Sequence, residues 1–131
     1  IEKLFIYYFI GLFVSRIGSL ILEPAVRKIN FITYASYSDY VTAKAMDKDI
    51  ETFLEIGNTY RTLAALFLFL TLICLFHMIF NFLNYCLKNT NQFMFIISGT
   101  LLSITFFICF LVSYKKQVGY IKKRITKTLT K

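Results

Sequence analysis

The sequence predicts an all-α polytopic integral membrane protein with three visible transmembrane helices, and three observations lead there. The 131-residue chain is 57% hydrophobic and 18% aromatic, outside the ~45–50% apolar share of soluble domains. Its apolar residues fall in long runs, each able to cover the ~30 Å hydrocarbon core of a bilayer. The net charge of +8 collects beside those runs, where topology and anionic lipid explain it better than nucleic acid does.

The first span occupies residues 1–23, with its apolar stretch at 4–22 between Glu2, Lys3 and Glu23. At about 100° per residue, Gly11, Ser15, Gly18 and Ser19 share one sector of this helix. Ile6, Ile10, Phe13, Ile17 and Ile21 share the other, a good lipid face. A small-residue seam lets another helix backbone approach closely, either from a second copy or from the same chain. Arg16 and Glu23 fall on one line at the edge of the seam, and Glu23 and Arg27 have i,i+4 spacing. Arg16 is read either as an anchor reaching inner headgroups or Glu23, or as a charge turned toward a bundle interior.

Residues 24–61 form an insert expected on the cytoplasmic, interfacial side. Here lie Asp39, Asp47, Asp49, Glu51 and Glu55, most of the acidic residues. Pro24 suits a first helical turn or a kink. Phe31, Tyr34, Tyr37 and Tyr40 recur every three residues, the spacing of an aromatic strip at headgroup level. Ser38 is expected to cap a helix over "DYVTAKAM". Asp49 is expected to cap a second short helix with Ile50, Phe53 and Leu54 on one face, ended by Gly57-Asn58.

The second span covers 62–87, longer than crossing requires. His77, Asn81, Asn84 and Lys88 form one polar stripe on it, continued inward by Ile73, Leu70 and Leu66. The stripe reads as a pore vestibule above a dry constriction, or as interfacial and interhelical hydrogen-bonding groups. A polar hairpin at 88–91 leads to a third span at 92–114. Ser98, Thr105 and Cys109 share a stripe there, and Gly99 with Ser103 makes a second close-packing pair.

The tail, 115–131, places Val118, Ile121, Ile125 and Leu129 at helical spacing among Lys115, Lys116, Lys122, Lys123 and Arg124. This is the pattern of a basic amphipathic helix on the inner leaflet or of a docking site for an acidic partner. Basic residues crowd the insert and the tail, against Lys3 and Lys88 on the opposite side, so both are expected inside and the hairpin outside. The chain begins at Ile1, which leaves open an upstream span that would make four.

Cys74, Cys86 and Cys109 read as small buried hydrophobes, and one histidine without clustered thiols or carboxylates is a poor metal site. No catalytic signature, cofactor motif or metal motif is present, so neither an enzyme nor a cofactor is expected. The functional expectation is a homo-oligomeric helical bundle that forms a pore, a channel or a membrane-perturbing assembly. The alternatives are a membrane anchor or sensor holding a soluble cytoplasmic partner, as in a bacterial defence or stress system, and a small structural subunit of a larger membrane complex. The expected setting is the lipid bilayer of a bacterial inner membrane, with the C-terminus inside and no nucleic-acid partner.

Overall fold

A computed structural model describes residues 2–85 and 90–130, with side chains placed outside 81–93. Every regular element among them is helical. Three helices, Glu2–Lys28, Asp49–Phe80 and Met94–Leu129, are long and apolar enough to cross a membrane. The first is not uniform. It runs as α1 (Glu2–Ile17), a π-helical turn (Gly18–Leu22) and α2 (Glu23–Lys28). The wide turn ends where Pro24 follows, its closing bond running from the Glu23 N–H to the Gly18 carbonyl. A proline ring inside an α-helix crowds the carbonyl four residues back and removes one N–H; the looser turn gives that carbonyl room.

α2 stops at a left-handed residue, Asn30, with φ 54°. The Phe31 N–H bonds the Val26 carbonyl and the Asn30 N–H bonds the Arg27 carbonyl, each at 3.0 Å. This is the paired C-terminal stop that asparagine tolerates next best after glycine. An extended segment then leads to α3 (Tyr37–Met46). Its cap is Ser36 rather than the expected Ser38: the Ser36 hydroxyl accepts the Asp39 N–H at 3.1 Å, and Ser38 bonds Ser36 instead. The aromatic strip does not form as one face, because Phe31 and Tyr34 precede the helix. Phe31, Tyr34 and Tyr40 turn partly inward, while Tyr37 stays 82% exposed.

α4 (Asp49–Tyr85) and α5 (Thr90–Leu129) are single helices of 37 and 40 residues. At ~1.5 Å per residue they are roughly 55 and 60 Å long, about twice a bilayer core. Two expectations are thereby corrected. Gly57-Asn58 does not end a short helix, and the basic tail is no separate surface helix but the end of α5. The reason is shared. Ile50, Phe53 and Leu54 on α4 and Ile121 and Ile125 on α5 bury their apolar stripes against each other and against Ala43 of α3. Helices whose apolar faces meet one another need no lipid to cover them. Asp47 starts α4 by accepting the Asp49 N–H at 3.1 Å.

The antiparallel α4–α5 pair carries most of the packing. Phe67 stacks on Phe110 at 5.5 Å, and Gln117 donates to the Phe53 carbonyl at 3.1 Å. A second core of Val14, Leu22, Val26, Ile32, Ala64, Ala65, Tyr114 and Val118 ties the first helix to this pair. Burial of α1 ends there: every residue from 2 to 13 is exposed. Of the expected 88–91 hairpin, 88 and 89 lie outside the described residues and 90–91 already belong to α5. Cys86 also lies outside them, Cys74 is half-buried and Cys109 is exposed, so the buried reading fails at Cys109.

Candidate functional site

The polar groups of the first helix, α4, α5 and the 31–36 segment converge at one level. Arg61 donates to a Glu23 carboxylate oxygen at 2.7 Å, with side chains 15% and 32% exposed. Beside the pair, the Tyr34 and Tyr114 hydroxyls lie 3.0 Å apart, and Tyr114 also meets Arg61. Burial, with the Tyr114 hydrogen bond second, pushes the Tyr34 hydroxyl far above the ordinary phenol range, so it stays protonated. The Arg61 Nε is buried with no hydrogen-bond partner among the described residues. Four chain segments are therefore held by one charged and hydroxyl cluster, whose stability depends on Arg61 keeping its carboxylate.

Arg16 and Glu23 do not meet. The π-helical turn inserts one extra residue between them, rotating Glu23 by about a quarter turn from the α-helical expectation. Glu23 faces α4, whereas Arg16 is exposed and forms no ion pair among the described residues. Arg27 does not pair with Glu23 either; its guanidinium lies 5.9 Å from the Tyr34 ring centre.

The small-residue seam divides. At Gly18 an added Cβ meets the Ala65 Cβ at 3.1 Å and the Arg61 carbonyl at 3.5 Å, so here the helix backbone touches α4. One turn up, Thr62 donates to the Ser15 hydroxyl at 3.3 Å. Ser19 is half-buried, and Gly11 faces open space. The second pair divides in the same way. Gly99 is open, whereas Ser103 is buried, 2.8 Å from the Thr71 hydroxyl and donating to the Phe67 carbonyl at 3.1 Å. Ser98 and Thr105 are exposed and bond carbonyls of their own helix. His77, Ile73 and Leu70 are exposed on α4, whereas Leu66 is half-buried against the core, so these three line no space inside one chain. The side chains of Asn81 and Asn84 lie outside the described residues.

The basic residues separate by face. Arg124 binds Asp47 at 2.6 Å and Asp49 at 2.7 Å and sits over the Phe53 ring, which locks the end of α5 to the start of α4. Lys44 and Glu51 join α3 to α4 at 2.7 Å. Lys115 lies 4.2 Å from the Phe31 ring centre, and Lys122 donates to the Thr33 hydroxyl at 3.4 Å. Lys116 lies over Tyr120, and Lys123 is exposed beyond it. Among the described residues no group of three or more His, Cys, Asp or Glu is placed to hold a metal.

Sequence reasoning placed Tyr34 in an aromatic strip at headgroup level and did not single out Arg61 or Tyr114 as site residues. The available signal was weak: an arginine at the start of an apolar run and a tyrosine at the end of another, both ordinary interfacial residues. Compared with family models, curated proteins and solved structures, the chain matches none.

Proposed function

We propose that this is an integral membrane protein whose three apolar helices cross the bilayer and which assembles with copies of itself into a pore. The observation that carries this reading is the upper part of the first helix. Residues 2–13 of α1 are exposed on every face, and Arg16 beneath them is exposed without an ion pair among the described residues. A monomer leaves that guanidinium against lipid. Its Cα lies about 10 Å along the helix from Glu23, and helical side chains tilt toward the N-terminus, here away from the charged level. Reaching inner headgroups therefore works against the side chain's own direction.

Charges in membrane helices face bundle interiors or water-filled cavities, and open Gly11 permits a close neighbour. A ring of Arg16 side chains around a symmetry axis favours anions. On this reading the packed, charged end that includes α3 lies on the inner side, where basic residues gather.

The test is chloride flux from liposomes containing purified protein, with particle mass measured in detergent. An oligomer that passes chloride, and an Arg16→Leu variant that folds but does not, is the expected result. A monomer with no flux at any potential sinks the proposal. A second reading, an anchor for a soluble cytoplasmic partner, draws on the α3–α4–α5 end, which has its own core beyond the apolar runs. That reading predicts a co-purifying soluble protein, lost on exchanging the exposed residues of α3.

A further inference from the structure

The cations of this chain are not treated alike. Arg61, Arg124 and Lys44 each hold a carboxylate. Arg27, Lys28, Lys115 and Lys122 form no ion pair among the described residues, although they gather around one short segment, 29–34. The grouping follows from contacts. Arg27 lies over the Tyr34 ring, Lys115 over the Phe31 ring, and Lys122 donates to Thr33. Lys28 is exposed at the end of α2, beside Ile29, which is 72% exposed. Lys115 and Lys122 are seven residues apart on α5, so they share a face about 10 Å long. Lys116, Lys123 and Lys127 fall about a quarter turn or more round the helix, away from this segment.

Four unpaired cations around one segment repel one another unless an anion neutralises them. Two are stacked on aromatic rings, which orients them without removing their charge. The cradle adjoins Tyr34, whose hydroxyl meets Tyr114 at the level of the Glu23–Arg61 pair. An aliphatic side chain, Ile29, stands exposed at its edge. We infer that Arg27, Lys28, Lys115 and Lys122 form a binding site for the headgroup of an anionic phospholipid, with Thr33 as a further hydrogen-bonding group and Ile29 against the acyl boundary. The inference rests on the membrane part of the proposed function and does not depend on assembly. Phosphate oxygens suit this set, since arginine and lysine both donate to them and neither has a carboxylate to release first.

The experiment compares two variants with equal charge loss. One is Arg27→Gln/Lys28→Gln/Lys115→Gln, at the cradle. The other is Lys116→Gln/Lys123→Gln/Lys127→Gln, on the remaining face of α5. Binding of phosphatidylglycerol against phosphatidylcholine is measured by titration into the purified protein in neutral detergent. Resistance to alkaline extraction from vesicles is scored separately. Three cations near a lipid phosphate contribute about a hundredfold in affinity. The cradle variant is therefore expected to lose about a hundredfold for the anionic lipid, and the second variant less than about threefold.

Equal losses in both variants overturn the site and leave only general surface charge. Inorganic phosphate is titrated in parallel, and a parent that binds it at the cradle but shows no preference for phosphatidylglycerol over phosphatidylcholine also overturns the inference. Extraction of the parent protein by alkali defeats the membrane reading instead, so the two failures are told apart. Far-ultraviolet circular dichroism and Tm of both variants establish that neither has unfolded.

Discussion

The Glu23–Arg61 pair offers the sharpest test of how the first helix is held. Glu23→Gln keeps the shape of the side chain and removes its charge. Arg61 is then left with a guanidinium 15% exposed, its Nε already without a hydrogen-bond partner among the described residues, and the Tyr34 and Tyr114 hydroxyls beside it. Stripping one partner from a buried pair costs about 3–5 kcal/mol, and an exposed pair contributes about 0–1 kcal/mol. Glu23 is 32% exposed, so solvent screens part of the loss and we expect about 2–3 kcal/mol. Arg61→Leu is milder, about 1 kcal/mol, because the freed carboxylate reaches water and the leucine packs near Ala65.

The decisive variant is the double, Glu23→Gln/Arg61→Leu. It removes the stranded charge and is expected to be more stable than Glu23→Gln alone. Thermal unfolding in one detergent reads all four proteins, with a loss of about 10 °C for Glu23→Gln if the chain behaves as a small domain does. Losses that add to within about 0.5 kcal/mol refute the reasoning, since uncoupled residues add.

Three further outcomes are expected. Gly18→Leu drives the first helix off Ala65 and costs about 1–3 kcal/mol in Tm-derived stability, whereas Gly11→Leu leaves the Tm of one chain near the parent's and lowers particle mass in detergent if copies meet along α1. Gly57→Ala raises Tm by the equivalent of about 0.5–1 kcal/mol, because the added methyl meets Gln117 and Ile121 at ordinary contact distances of 3.6 and 3.8 Å within a continuous helix; a fall in Tm would mean the helix is broken there. Tyr34 has a folded pKa raised above its unfolded value of about 10, so its contribution is full below pH 10 and lost as pH rises beyond it. Tm measured from pH 8 to 11 is expected to fall less steeply for Tyr34→Phe than for the parent, and equal slopes would exclude this role.

Much of the fold was legible because it rests on local pattern. Long apolar runs must be helical if lipid surrounds them, since no water remains to satisfy the backbone. The Ile50–Leu54 and Val118–Ile125 stripes were likewise visible as helical faces, but not what each would meet. A stripe looks the same whether a leaflet or another helix covers it. The facing apolar residues of α4 and α5 decided for a helix, and this joined two expected short elements to long ones.

The candidate site was less legible. Arg16 and Glu23 stood on one face only while the helix was taken as α-helical throughout, and the wide turn before Pro24 removed that relation. Arg61 and Tyr114 are far apart in sequence and individually ordinary. They become a site only when antiparallel helices place them at one level beside Glu23.

The sequence by itself determined the class of element, the three apolar runs, the crowding of charge around the insert and tail, and the two faces of each amphipathic stretch. These follow from composition and period. Only the tertiary structure decided which carboxylates Lys44, Arg61 and Arg124 hold, that Gly18 rather than Gly11 touches α4, and that Arg27, Lys28, Lys115 and Lys122 surround one segment with no ion pair among the described residues. Ion pairing and close backbone approach depend on distances of a few ångströms between residues distant in the chain. Those distances are set by how α1, α4 and α5 pack and by one extra residue in a helical turn.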